Sequence, residues 1–164
     1  MRDFRDQRPG EVVVHTSPEM LQELFDRLKP ALAPAEQQGY DTSRVYLLLD
    51  EVVSNAYRHG YHEAVGEPVG VRVRFHAEYA SIAVRDLAPT FDSARHASTR
   101  TAPAPESGSR GGMGLVIVQS MCESLAHQVP QEGGNAIYAV MKLQLRGRLA
   151  TGSTYVGVPQ HDAT

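Results

Sequence analysis

The run Glu51-Val52-Val53-Ser54-Asn55-Ala56-Tyr57-Arg58-His59-Gly60 places a carboxylate, a carboxamide, a guanidinium and an imidazole in one short stretch of chain. On a helix turning about 100° per residue, Glu51, Asn55, Arg58 and His59 form one stripe, and Val45, Leu48, Leu49, Val52, Val53 and Ala56 fill an apolar arc beside it. A solvated face would lie opposite that arc. A polar stripe along its edge points instead to a cleft beside the core, where such groups could hold a polar ligand. The same spacing also suits edge residues that make ordinary caps and surface hydrogen bonds.

Two other places could do chemistry. Gly108-Ser109-Arg110-Gly111-Gly112-Met113-Gly114-Leu115 precedes a helical pattern. Glycine there lets the backbone approach a phosphate, and the amides and dipole of a helix start favour the anion. It is not a Walker-type loop, because Lys-Ser or Lys-Thr does not follow, and no strand precedes it as a dinucleotide fingerprint requires. Asp86 ends an alternating segment and leads into Leu87-Ala88-Pro89, where by itself it reads as a strand-end turn residue. Other candidates are weaker. His59 and His62 are three apart, but Gly60 should end the helix between them and no third zinc ligand is evident. Cys122 reads as a small packing residue, and Ser54 lacks the His and Asp of a hydrolase.

Several elements must position these groups. Glu11 to His15 reads as a strand. Ser17 and Pro18 read as the cap and first residue of a helix carrying Leu21, Leu24, Phe25, Leu28 and Leu32, broken at Pro34 and Gly39. A second helix is predicted from Asp41 or Thr42 to Arg58 or His59, with Gly60 as a left-handed cap. Val69–Ala77 and Ala80–Asp86 alternate apolar and polar residues as a hairpin would. A third helix starting at Met113 carries Leu115, Val116, Val118, Met121 and Leu125, and Asn135–Leu145 reads as a last strand after a Gly133-Gly134 turn. Between Phe91 and Met113 the sequence is rich in Ser, Ala, Pro and Gly. A stretch that long inside a compact domain reads as a lid better than as a linker, since neither side is long enough for a convincing domain of its own.

Composition sets the outer limits. The chain has 164 residues, a formal net charge of -3 and one cysteine. That length suits one domain with a full core. The weak acidity and the absence of a basic run argue against nucleic acid as a partner. A single cysteine forms no internal disulfide, and neither a signal peptide nor a membrane span is evident, so a cytoplasmic protein with no membrane association is expected.

Taken together, these motifs resemble the GHKL ATPase superfamily, which includes DNA gyrase, sensor histidine kinases and mismatch-repair ATPases. The segment 51–60 is similar to its N box, and most like the E-x-x-x-N-A-x-x-H-G version of the anti-sigma factor serine kinases. Asp86 stands where the family's G1 box, D-x-G-x-G, begins. Ala88 and Thr90 replace both glycines, while Phe91-Asp92 keeps the end of the anti-sigma variant. Gly111-Gly112-Met113-Gly114-Leu115 resembles the G2 box. The motifs occur in the family's order, and the resemblance covers roughly Glu11 to Leu145.

The resemblance implies a Bergerat fold: a two-layer α/β sandwich with a mixed, mainly antiparallel sheet and helices on one face. It implies a kinase domain over 11–146 with a lid at 92–111, a polar N-terminal extension at 1–10 and a tail at 147–164. ATP and Mg²⁺ would bind through Asn55, Arg58, His59, Asp86, Ala88, Gly111, Gly112, Met113, Gly114 and Leu115. Asn55 would offer its side-chain oxygen to the metal, a hard cation that takes oxygen ligands. Glu51 would orient an incoming hydroxyl or take its proton. Asp86, an acceptor only, would receive the adenine amino group. Arg58 would contact phosphate, pair with Glu51 or simply face solvent. The implied activity is an ATP-dependent protein serine/threonine kinase that sequesters a sigma factor and phosphorylates a small antagonist protein. An ATP-gated partner-capture module with little kinase activity and a stand-alone ATP-binding part of a histidine kinase system are the alternatives. Leu47, on the polar side of the second helix, is a candidate contact for a homodimer.

Overall fold

A computed structural model of the chain describes residue 4 and residues 6–89 and 113–147. In chain order the elements are β1 Val12–His15, α1 Met20–Gln37, β2 Tyr40–Asp41 and α2 Ser43–Asn55, which continues into a π-helical turn at Ala56–Gly60. They are followed by β3 Pro68–His76, β4 Tyr79–Asp86, α3 Met113–Met121, β5 Ser124–Gln128, β6 Asn135–Lys142 and β7 Gln144–Leu145. The main sheet has five strands in the order β1-β3-β4-β6-β5, and β2 pairs with β7 in a separate two-stranded ribbon. Every ladder among the described residues is antiparallel. The helices cover one face, giving the two-layer α/β sandwich that the resemblance implies.

Alternation along the strands builds the core. Val71 opposes Val84 and Val73 opposes Ile82 in the predicted β3–β4 hairpin, and Ile82 opposes Ala139 in β6. These side chains turn toward the helices. There they meet Leu24, Leu28 and Leu32 of α1 and Val45, Leu48, Leu49, Val52 and Val53 of α2, all in one buried cluster.

Helix α1 departs from its sequence reading at both ends. Ser17 and Pro18 lie in a turn, with the Met20 amide 3.3 Å from the Ser17 carbonyl, and Glu19 occupies the cap position without a side-chain cap. The helix then runs through Pro30 and Pro34 to Gln37. Both prolines are exposed, so water can reach the carbonyls they leave without donors. An interior proline costs about 3 kcal/mol, while burying a leucine contributes roughly 1.5–3 kcal/mol. Met20, Leu24, Leu28, Leu32 and Ala35 on the inner face thus outweigh the two breaks. Gly39, with φ +86°, turns the chain after the helix.

The C-terminal part is more divided than expected. Helix α3 ends at Met121, and Leu125 belongs to β5 rather than to the helix, pairing opposite Ala139. The last strand breaks at Leu143, and its final two residues leave the main sheet to pair with Tyr40 and Asp41.

Candidate functional site

Glu51 and Asn55 lie one helical turn apart on α2 and are both half-buried, while their neighbours Val52 and Val53 are buried. The polar edge read from the sequence is therefore present up to Asn55. Beyond it the wheel changes. The Tyr61 amide donates to the Ala56 carbonyl at 2.8 Å, an i to i+5 bond that makes the turn wider than an α-turn. Arg58 and His59 sit exposed on this π-turn, beyond the α-helical part of the stripe. The left-handed residues are His62 and Glu63, with φ 51° and 61°, rather than Gly60.

Gly60 has a different task. A Cβ there would lie 2.9 Å from the Ala88 Cβ, so its missing side chain admits the loop after β4. Tyr61 ties the same two segments together: its hydroxyl accepts from the Leu87 amide at 2.6 Å and donates to the Pro68 carbonyl at 2.7 Å. The end of the N-box segment is thereby stapled to the loop that carries Asp86.

Asp86, the last residue of β4, opposes Asn135, the first residue of β6. Its Oδ1 accepts from the Ala88 amide at 2.9 Å and from Asn135 Nδ2 at 2.9 Å. Burial pushes the carboxyl above the ordinary carboxylate range, outweighing the downward pull of the bonds from Asn135 and Ala88. Gly134 makes the close approach possible: its φ is +81°, and a Cβ would fall 2.0 Å from the Asp86 carbonyl oxygen. Asn135 in turn meets His127 Nε2 on β5, with Oδ1 3.1 Å away.

Behind Asp86, on the opposite face of the sheet, Arg85 is held by the N-terminal segment. Its Nε and Nη2 donate to the two Glu11 oxygens at 2.6 Å each, and its Nη2 also donates to the Asp6 carbonyl at 2.7 Å. The Phe4 ring lies 3.8 Å from the guanidinium carbon.

The structure thus ties the turn that follows Glu51 and Asn55 to the segment that follows Asp86, through Gly60, Tyr61, Leu87 and Ala88. Gly111 and Gly112, and the lid at 92–111, lie outside the described residues. Met113, Gly114 and Leu115 open α3. Sequence reasoning missed Asn135, His127 and Tyr61 as parts of the site. The Gly133-Gly134 turn was the nearest signal, since it sets the strand that starts at Asn135.

Among the described residues no three His, Cys, Asp or Glu side chains gather as a metal site, so a cation held at Asn55 would take further oxygens from a ligand and from water. A separate cavity of about 260 Å³ lies between Arg44, Met121, Cys122, Lys142 and Leu143, and none of Glu51, Asn55 and Asp86 lines it. Burial pushes the Cys122 thiol up, consistent with a packing role.

A family described as the histidine kinase-like ATPase domain matches residues 14–141. The chain belongs to that family. As a histidine kinase-like ATPase domain it is an ATP-binding module of the GHKL type; the part-buried acceptor Asp86 and the half-buried amide of Asn55 are groups that would suit an adenine amino group and a cation. A search of curated proteins returned no match. Solved structures are similar as well, among them two histidine kinases. The "Mycobacterial sensor histidine kinase MprB" is 20% identical with a TM-score of 0.46, covering 82% of this chain and 99% of its own. The histidine kinase domain of the E. coli osmosensor EnvZ is 17% identical with a TM-score of 0.42, covering 98% of each chain. At that level of similarity they add nothing to the family match. Among the described residues of the ATPase domain, no helix is long and apolar enough to cross a membrane.

Proposed function

We propose that this ATPase domain is an ATP-dependent protein serine/threonine kinase of the anti-sigma type, acting in the cytoplasm by partner switching. The observation that carries the reading is the half-buried pair Glu51 and Asn55, one turn apart on a helix whose end is stapled to the Asp86 loop. The E-x-x-x-N-A-x-x-H-G wording of that helix favours the anti-sigma kinases within the superfamily. In this reading Asp86 accepts the adenine amino group. Asn55 offers its amide oxygen to Mg²⁺, whose chemistry is to neutralise charge on the phosphates. Glu51 orients the attacking serine or threonine hydroxyl and takes its proton. The protein partners are a sigma factor and a small antagonist that carries the acceptor hydroxyl. Leu47, 42% exposed on α2, offers an apolar contact for a homodimer.

Incubating the full chain with Mg-ATP and its cognate antagonist, followed by mass spectrometry of the antagonist, tests this. Phosphoserine or phosphothreonine is expected. A partner captured only with ATP and left unmodified would replace the kinase by a capture module. The close seating of Ala88 against Gly60, in a loop where the family usually has glycine, favours that second reading. Acid-labile phosphohistidine on the partner would instead assign the domain to a histidine kinase system.

A further inference from the structure

His127 lies on β5, separated from β4 by β6, and belongs to none of the nucleotide-binding motifs. We propose that His127 is a positioning residue for base recognition, acting through Asn135 on Asp86 to sharpen discrimination of adenine from guanine. The proposal rests on the ATP-binding reading of the site.

The direction of each hydrogen bond follows from chemistry. Ionised Asp86 only accepts, so the part of the Asn135 amide facing it at 2.9 Å is the NH₂ group. The amide oxygen must then point the other way, toward β5, where it lies 3.1 Å from His127 Nε2. An amide oxygen also only accepts, so Nε2 carries the hydrogen. Neutral His127 is held in one tautomer, and the imidazolium would donate from the same atom. The line runs from His127 Nε2–H to Asn135 Oδ1, and from Asn135 Nδ2–H to Asp86 Oδ1.

That line fixes what Asp86 can offer a ligand. A carboxylate has about four lone-pair positions. Among the described residues the Asn135 side chain and the Ala88 amide donate to its Oδ1. These two bonds hold the carboxylate plane, so that its remaining lone pairs keep a fixed direction. Adenine presents an amino donor at the edge where guanine presents a carbonyl, so the fixed acceptor rewards one base and repels the other. Without His127 the Asn135 amide loses the bond that sets its plane, and the orientation of Asp86 is less sharply held. The expected loss is that of one partly exposed hydrogen bond, about threefold to tenfold in ATP affinity.

Isothermal titration of the full chain with Mg-ATP and Mg-GTP, for wild type, His127→Ala and His127→Gln, tests the proposal. His127→Ala should weaken ATP about threefold to tenfold and leave GTP unchanged, narrowing the ratio. His127→Gln, whose amide NH₂ can donate to Asn135, should restore the ratio. Equal weakening of both nucleotides, or no change for either, would overturn it. A second measurement needs no nucleotide: the imidazole ¹⁵N shifts at pH 8 should show the Nε2–H tautomer in wild type, and its Nε2–H proton should resonate downfield of that in Asn135→Ala. An Nδ1–H tautomer in wild type would sink the relay. If wild type binds no ATP, the functional reading falls and the role in base recognition falls with it, while the tautomer measurement still reports separately on the relay.

Discussion

Gly60 and Ala88 meet so closely that a methyl group on Gly60 would lie 2.9 Å from the Ala88 side chain. One residue closes the π-turn after the Glu51–Asn55 helix, and the other stands two residues beyond the Asp86 carboxylate. The contact joins the two halves of the site without any polar bond. Gly60 does not have a positive φ, so alanine would fit its backbone and only the steric contact would be disturbed. Gly60→Ala should therefore cost about 1–3 kcal/mol in chemical denaturation, the usual range for overpacking. ATP affinity should fall with it. In the double variant Gly60→Ala/Ala88→Gly most of both losses should return, and a double-mutant cycle with no coupling would rule out the contact as the cause.

Asp86 gives a prediction with a definite sign. Its folded carboxyl titrates above the ordinary range because of burial, so the fold favours the protonated form. The ionised form therefore lowers stability as pH rises from the unfolded value through the folded one, and the penalty is absent below both. Asp86→Asn should melt at a higher temperature than wild type near pH 7, with the difference closing in acid. Binding moves the other way: wild-type ATP affinity should weaken as pH falls through the raised value, because the protonated acid offers a poorer acceptor. In Asp86→Asn, ATP affinity should drop at every pH. Thermal melts and calorimetry across pH 4–8 check both trends, and a variant no more stable than wild type at neutral pH would contradict the first.

Glu51 should separate binding from transfer. Removing a general base typically costs about 10²–10⁴-fold in rate. Glu51→Gln is expected to lose that much phosphotransfer to the antagonist while its ATP affinity changes by less than about threefold, the pattern of a group acting mainly in the transition state. A variant that transfers phosphate at the wild-type rate would remove Glu51 from the mechanism.

The buried pair Glu11 and Arg85 should behave asymmetrically. Their side chains are 3% and 9% exposed. Breaking such a pair from one side leaves an uncompensated charge and costs about 3–5 kcal/mol. Glu11→Ala should show that loss in urea unfolding. Glu11→Leu combined with Arg85→Met, which removes both charges, should recover much of it. A double variant as unstable as the single one would point to packing with Phe4 as the larger contribution.

The parts of this fold that were legible are those set by local periodicity. The α2 stripe read correctly to Asn55 because a regular α-turn fixes which side chains share a face. The i to i+5 bond at Ala56, which widens the turn under Arg58 and His59, leaves no periodic signal in the sequence. The prolines of α1 look like breakers locally, but their exposed side leaves the leucine face intact. β5 carries a single large aliphatic residue, Leu125, and gains its strand character from pairing with β6. Asn135 and His127 could not be recognised before the register was known: nothing near them in sequence says that one opposes Asp86 and the other lies beyond it. The family itself was legible, since its motifs around Asn55 and Asp86 are short patterns whose spacing is local.

Arg85 and Asp86 are consecutive, yet successive side chains of a strand point to opposite faces. One therefore answers to Glu11 on the outer side, and the other to Asn135 on the inner side. A slip of β4 by a single residue would exchange them. It would bring the guanidinium beside Asn135 and set the Asp86 carboxylate against that of Glu11. Both new placements are electrostatically wrong at once. The two neighbouring charges thus act as a proofreading mark for strand alignment: the chain can assemble this sheet in its functional register, and the nearest misalignment is rejected on both faces.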